Sequence, residues 1–320
     1  MTRRWNVLLP PTIDPVGPES LADIADCTSR ADYADEEALL ADVDRYDAVI
    51  TRTQPVSAEL IAAADRLKVI AKHGAGVDNV DIEAATGHGV LVANTPGENA
   101  NSVAEHAVTL LLAAKRNVVR ADRATREGDW RRADFRGRDL SGRTLGLFGA
   151  GNAGRRVATL LSGFDVSCVA YDPYVDPADL PENVSLVDDP TDLFERADDV
   201  SVHAPLTDET YHAVGAAEID ALPADAVLVN TARGGVVDED ALVAALREGT
   251  IAGAGVDVYE TEPPEPDDPL LECESAVFTQ HNAGVSVDAL ENMSRAAAGI
   301  VRTVHEGGVP ETTLNPEARE

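Results

Sequence analysis

The stretch "RTLGLFGAGNAGRRVA", Arg143–Ala158, changes character twice. It opens as a short apolar run, passes through a glycine-rich turn and continues with apolar positions at helical spacing. The order strand, turn, helix gives the spacing Gly149-x-Gly151-x-x-Gly154 a physical meaning. The first glycine permits a tight turn, the second lets backbone approach a pyrophosphate, and the third lets the helix pack on the strand. Asn152 and Ala153 sit where the helix begins, and a helix N-terminus offers free N–H groups and a positive dipole end to phosphates.

An acidic partner stands downstream. The next strand-like run, "SCVAYD", ends at Asp172, 18 residues after Gly154. A carboxylate there can accept both ribose hydroxyls of NAD and repel the 2′-phosphate of NADP. The following "PYVD" offers no arginine or lysine for that phosphate, so NAD is the expected cofactor.

Outward from this turn, short β-branched runs alternate with Ala-rich helical patterns. "WNVLLP", "DAVITRT", "LKVIAKHG" and "GVLVANTP" read as strands, with "SLADIADC", "EEALLADV" and "SAELIAAA" as helices between them. The run "NSVAEHAVTLLLAAKRNVVRADRATREGDW" reads as one helix of about 25 residues, capped by Asn101 or Ser102 with Glu105 placed for a capping box. A second series follows with strands in "TLGLFG", "SCVAYD", "DVSVHAP", "AVLVNT", "AGAGVDV" and "AVFTQH". "ETEPPEPDDP" reads as an extended surface loop, and the last helix, "VDALENMSRAAAGIVRTVHEGG", as followed by a loose tail. Such alternation predicts α/β architecture with parallel sheets. The expected arrangement is two Rossmann-like or flavodoxin-like domains. Residues 99–287 form the NAD-binding domain, inserted into a substrate domain built from 1–98 and 288–320.

The bulk numbers narrow the class. The net charge is −31 over 320 residues, which argues against nucleic acid or an anionic membrane as partner. Only three lysines occur, and the acidic residues spread along the whole chain. Such a surface suits a salt-rich cytoplasm, where screening shortens repulsion, so a halophilic source is expected. No apolar run approaches the ~20 residues of a membrane helix. "MTRRWNVLLPPTIDPV" lacks the apolar core of a secretory signal. Cys27, Cys168 and Cys273 lie far apart, with neither metal-ligand spacing nor a disulfide framework. No metal is expected, and localisation is read as cytoplasmic.

The motifs "GAGNAGRRVA", "YDPY", "HAPLT", "VNTARGGVVDEDALVAALREGTIAGAGVDVYETEP" and "TQHNAG" together resemble the D-isomer-specific 2-hydroxyacid dehydrogenases, most of all those acting on 3-phosphoglycerate. The resemblance runs from "KVIAKHGAGVDNVD" to the last helix. It implies an enzyme, an NAD-dependent oxidoreductase acting on CH–OH groups, with Arg233, Glu262 and His281 as catalytic residues. Chemistry supports each. A planar guanidinium grips a 2-oxo acid's carboxylate and carbonyl with parallel hydrogen bonds, and polarises the carbonyl. Hydride arriving at C2 leaves an oxygen that needs a proton, which histidine can give. A glutamate beside it stabilises the imidazolium. The resemblance further places the backbone of His203 and Ala204 beside the nicotinamide ribose and Asp257 at the nicotinamide amide. Thr231, Ala232 and Gly284 join the cofactor set. His106 reads as a packing or interdomain residue and His73 as lining only.

Glycines in "KHGAGVDN" let backbone N–H groups face an anion. The resemblance gives that task, for the substrate carboxylate, to Ala75 and Gly76. Arg52 matches a phosphate-facing arginine, Arg132 one contributed across a homodimer, and Lys72 can add a third charge. Against this, "DAVITRT" carries isoleucine where some members have a further arginine. "GNAG" departs from the usual Arg-Ile pair, leaving pyrophosphate to backbone groups. The resemblance does not extend to the regulatory amino-acid-binding domain that many phosphoglycerate dehydrogenases carry, so serine feedback through such a domain is not expected.

The leading expectation is thus NAD-dependent oxidation and reduction of a small 2-hydroxy or 2-oxo acid, first 3-phosphoglycerate. Glyoxylate or hydroxypyruvate reduction is the enzymatic alternative. A corepressor-like protein that senses NAD(H) without catalysis is the alternative of another class.

Overall fold

The computed structural model describes residues 3–319. Contacts divide the chain into two compact units, Met1–Asn99 with Val285–Glu320, and Ala100–Gly284. Each is built around one parallel sheet.

The first sheet contains β1 (Trp5–Leu9), β2 (Ala25–Ser29), β3 (Ala48–Thr51), β4 (Val69–Lys72) and β5 (Leu91–Ala93), in the order β2-β1-β3-β4-β5. The second contains β6 (Thr144–Phe148), β7 (Ser167–Tyr171), β8 (Val184–Val187), β9 (Asp199–Val202), β10 (Val227–Asn230), β11 (Gly253–Val256) and β12 (Ala276–Phe278). Its order is β12-β11-β10-β9-β6-β7-β8. Every pairing between these strands is parallel.

A parallel sheet must be covered on both faces, because its crossover helices lie there. Successive side chains therefore feed two different cores. In the first unit Val7, Ile50, Val69 and Ala71 pack with Ala297, Ala298 and Val301 of the helix Val287–His305. Leu8, Val49, Ile70 and Val92 face the other way, onto Leu60 and Ile61 of the helix Ala58–Ala63. In the second unit Leu145, Leu147, Val227 and Val229 meet Leu110 and Leu111 of the helix Ala100–Lys115. Phe148, Val200, Val202 and Leu228 pack on Leu193, Phe194 and Leu242 across the sheet. Each Val, Leu, Ile or Phe side chain among these stabilises its unit by about 1.5–3 kcal/mol when taken out of water.

Four local expectations are corrected. "SLADIADC" is not one helix: the helix Val16–Ser20 ends early and the segment finishes as edge strand β2. That strand has one polar, exposed face and so lacks an apolar run; β8, the other edge strand without a sequence signal, is apolar at three of its four positions but buried only at Val187. The expected 25-residue helix is two helices, Ala100–Lys115 and Val118–Arg126. The break falls at Asn117, which adopts a left-handed φ of 51° that asparagine tolerates better than most residues. Just before it, Lys115 is held in a buried ion pair with Asp199 at 2.6 Å. Asn101 and Ser102 do not cap the first of these helices, because they lie inside it; Asn101 Nδ2 instead donates to Glu105 Oε1 at 2.7 Å.

The tail is not loose. Thr313 bridges to Ala93 in antiparallel sense, and the Leu314 amide donates to Val92 O at 2.8 Å. The fully buried Asn315 accepts from the Val92 amide and donates to Val90 O and Thr86 Oγ1. Polar tail residues thereby satisfy the open edge of β5, which a hydropathy reading cannot anticipate.

Candidate active site

The second unit carries the dinucleotide turn. Gly149 ends β6 with φ +98°, and a Cβ there would stand 2.6 Å from the Ala204 amide nitrogen. A Cβ on Gly154 would run into the Gly149 carbonyl, so β6, β9 and the helix Asn152–Leu161 close up only around glycine. Around Gly151 a Cβ would meet nothing, which leaves open space before the helix. That helix has Gly151 as N-cap and no side-chain cap, so the first-turn amides of Asn152, Ala153 and Gly154 keep their capacity for an anion. Asp172, after β7, accepts from the amides of Ala150 at 2.9 Å and Tyr174 at 3.0 Å. These bonds aim the carboxylate and leave lone pairs for further donors.

The end of β9 borders this turn, and β10 is the next strand beyond it. Burial pushes the His203 imidazole down to about 4, so it is neutral at ordinary pH. Its Nε2 pairs with Ser201 Oγ at 2.8 Å, while Nδ1 is buried without a partner. Thr231 Oγ1 is buried and unpartnered too, with Ala232 following it. Open space, uncapped amides, an acid and orphaned polar atoms at the carboxyl ends of neighbouring strands fit a bound dinucleotide.

Beyond β10 the chain makes the turn that holds Arg233. Asn230 accepts from the Ala232 amide at 3.0 Å and donates to the Arg233 carbonyl at 2.9 Å. Gly234 then packs so closely on the Tyr259 backbone that any Cβ would collide with it. Arg233 is partly buried, and its Nη1 donates to the Ala232 carbonyl at 2.7 Å.

Glu262 and His281 form a pair. His281 Nδ1 lies 2.7 Å from Glu262 Oε2, and Glu262 Oε1 accepts from the Tyr259 amide at 3.1 Å. A carboxylate only accepts, so His281 Nδ1 carries a proton and Nε2 is the atom left for substrate. Burial by itself would raise the Glu262 carboxyl. The His281 hydrogen bond, the Tyr259 amide and the nearby charges of His281 and Arg233 outweigh it and hold the group below the usual carboxylate range. Both side chains are more than a third exposed, as groups that meet substrate must be. They form part of the wall of a cavity of about 650 Å³, with Pro263, Leu271 and Phe278 as its apolar lining.

Asp257, after β11, is fully buried. It takes donors from Thr279 Oγ1 at 2.6 Å and from the amides of Asn282 and Ala283, each at 2.9 Å. Gly284 closes that loop. His106 joins the same group through Thr279 Oγ1 at 3.0 Å. Thr279 and this placement of His106 escape a sequence reading because their partners lie far away in the chain, and Asn230 escapes it although its partners, Ala232 and Arg233, are local. An asparagine at the end of an apolar strand, two residues before an Ala-Arg-Gly turn, is the one signal that was available.

The first unit holds the other candidates. After β4, Gly74 turns with φ +140° and its amide donates to Thr95 Oγ1 at 2.9 Å. The Ala75 carbonyl accepts from Asn94, while the amides of Ala75 and Gly76 donate to no described residue. Lys72 differs from a free cation: it is buried, and its Nζ is held by the Arg52 carbonyl and by Asn79 Oδ1 at 2.5 Å. It thereby fixes the loop that carries the partly exposed Arg52. Arg132, in the second unit, is exposed in a single 3-10 turn beside Trp130. Among the described residues no group of three His, Cys, Asp or Glu could hold a metal ion.

Turn, acid and strand-end residues define the second unit as a dinucleotide-binding α/β fold. The family model described as "D-isomer specific 2-hydroxyacid dehydrogenase, NAD binding domain" matches residues 108–283. The chain is 42% identical over 273 residues to a D-3-phosphoglycerate dehydrogenase of Archaeoglobus fulgidus, covering 85% of this chain and 52% of that protein. It is 40% identical over 288 residues to a glyoxylate reductase of Korarchaeum cryptofilum, covering 88% and 86%. A solved structure of an NADPH-dependent glyoxylate/hydroxypyruvate reductase from Sinorhizobium meliloti, in complex with NADP and malonate, superimposes with a TM-score of 0.86. Its identity is 32%, over 99% of this chain and 98% of that one. The chain belongs to the D-isomer specific 2-hydroxyacid dehydrogenase family. It spans about half the length of the curated phosphoglycerate dehydrogenases it matches.

Proposed function

We propose that this chain interconverts a small 2-hydroxy acid and its 2-oxo acid with NAD(H). The observation that carries the reading is the 2.7 Å pair of His281 Nδ1 and Glu262, with Nε2 left available, on the unit that holds the dinucleotide turn. The bound nicotinamide supplies or accepts the hydride. Gly149–Gly154 backbone holds the pyrophosphate, and Asp172 takes the ribose hydroxyls and favours NAD over NADP. Arg233 binds the substrate carboxylate and polarises the C2 carbonyl. His281 Nε2 gives its proton to the C2 oxygen in reduction and takes it from the hydroxyl in oxidation. Glu262 holds the imidazole's orientation and stabilises its charged form. In the first unit, the unengaged amides of Ala75 and Gly76 suit an anionic end of the substrate.

For the substrate, 3-phosphoglycerate is the first reading. Arg52 at the end of β3 supports it, as does the likeness to phosphoglycerate dehydrogenases. A specific observation favours glyoxylate or hydroxypyruvate as the second: Lys72 is bound inward, which removes one of three cations a phosphate would use. The glyoxylate reductase relative is also matched over 86% of its length. The exposed Val118, Val119 and Trp130 suit a homodimer through the second unit, with Arg132 beside them. The charge of −31 suits a salt-rich cytoplasm.

The test is a spectrophotometric screen of 2-oxo acids with NADH and NADPH at high and low salt. Turnover of phosphohydroxypyruvate, lost in Arg52→Ala, supports the first reading. Turnover of glyoxylate and hydroxypyruvate alone supports the second. No turnover on any acid, with NADH still bound, would promote the sensor reading.

A further inference from the structure

The loop that carries His281 has an unusual backbone. His281 adopts φ +50°, a left-handed conformation uncommon for a residue with a side chain. Asp257 holds it there. Its carbonyl accepts the His281 amide at 2.7 Å, and its carboxylate accepts the amides of the next two residues. The fold around His281 is thus shaped on one buried acid.

That acid is in turn oriented by two side chains. Thr279 Oγ1 has a single hydrogen, and at 2.6 Å from Asp257 Oδ1 it is donated to the carboxylate. The hydroxyl can then only accept from His106 Nε2, 3.0 Å away, so His106 carries its hydrogen on Nε2. The order is His106 N–H to Thr279 O–H to Asp257, ending on the amides that fix His281. Tyr259 closes the frame by donating its hydroxyl to the Thr279 carbonyl at 2.8 Å, three residues before Glu262. Oriented chains of this kind hold a geometry more tightly than isolated bonds.

We infer that His106, on the helix Ala100–Lys115, is a positioning residue for His281, acting through Thr279 and Asp257. Its Nε2 also stands 3.6 Å from Asp257 Oδ1, and its hydrogen bond goes to Thr279 rather than to His281 or Glu262. Its task is to hold the 279–283 loop so that His281 meets Glu262 and presents Nε2. A share of the buried acid's function is then the shape of this loop rather than contact with the cofactor. The inference rests on the proposed proton-transfer role of His281, and its test separates the two.

Four variants of the whole chain suffice. Thr279→Val removes the hydroxyl at nearly constant shape, and His106→Leu removes the donor. Thr279→Ser and His106→Gln keep an O–H and an N–H at the same places. On whichever 2-oxo acid the wild type reduces, kcat should fall roughly 10–100-fold in Thr279→Val and His106→Leu. KM for NADH and its Kd by calorimetry should stay within about twofold, and the two conservative variants should recover most of the rate. Amide hydrogen exchange across 279–284 should quicken about tenfold or more in the disruptive pair and not in the conservative pair. A merely stabilising role would lower the melting temperature and leave kcat and local exchange alone. Unchanged exchange with weakened NADH binding would overturn the inference in favour of a cofactor contact. If the wild type reduces no acid, the catalytic reading fails, and the exchange measurement still decides the positioning.

Discussion

The two sheets share a central winding and part company at the turn after its first strand. Leaving out the edge strands β8 and β12, the second sheet's order β7-β6-β9-β10-β11 repeats β2-β1-β3-β4-β5. After β1 the chain runs "PPTIDP" into a helix of five residues, Val16–Ser20. Pro10, Pro11 and Pro15 have no N–H to offer an anion, and the helix is too short for a developed dipole. After β6 the chain runs "GAGNAG" into a helix of ten residues whose first amides are uncapped. The same topology is therefore inert at one switch point and suited to a dinucleotide at the other. Fold sets where a site can be; the turn's residues set whether it is there.

The contrast can be broken from either side. The largest effect belongs to the second sheet's chemistry: His281→Ala should slow turnover by about 10²–10⁴ while NADH Kd is unchanged. The same rate with and without the imidazole would remove its proton role. Next comes the turn. Gly149→Val forces a branched side chain into φ +98° and against the Ala204 amide. NADH affinity should drop by roughly 10²-fold, since overpacking and backbone strain each cost about 1–3 kcal/mol. Calorimetric binding within threefold of wild type would contradict the packing account.

A pH dependence should also mark the second sheet. His203 is pushed down to about 4, below an ordinary 6.5. Between those values the unfolded chain binds a proton that the folded chain refuses, so stability falls as pH falls through that window. The full loss is about 3 kcal/mol. Urea unfolding of wild type and His203→Leu from pH 7 to 4 should show a steeper decline in wild type, and parallel curves would exclude the neutral imidazole. Smallest is a change in the first sheet. Asn315→Ala strips the β5 edge of a buried acceptor and two donors, and should cost about 1–3 kcal/mol. Catalysis below the melting transition should be untouched.

Legibility followed physical range. The strands β3, β4, β9 and β10 are buried at every position; three apolar residues in a row make β3, β4 and β10 plain in the sequence, while β9 also buries Asp199 and Ser201. The edge strand β2, with Asp26 and Cys27 exposed, and the four-residue β8, with Ser185 exposed, were not plain. The helix break at Asn117 escaped notice because the apolar periodicity continues through it, while Lys115 answers to Asp199, 84 residues away. Arg233, Glu262 and His281 were found through motifs, each a local word in the chain. Thr279 and the partner of His106 were not, since their meaning lies in bonds to distant parts of the chain.

By itself the sequence determined the α/β class, the dinucleotide turn and the residue types available for hydride and proton chemistry. Those features rest on short-range periodicity and on what Gly149, Gly151 and Gly154 permit their own backbone to do. Only the tertiary structure decided that Lys72 is bound inward, that Asn315 seals a sheet edge and that one buried carboxylate shapes the His281 loop. Each of these is a hydrogen bond or ion pair in which a buried polar group must find its partner. Folding chooses that partner from anywhere in the chain, and no local pattern records the choice.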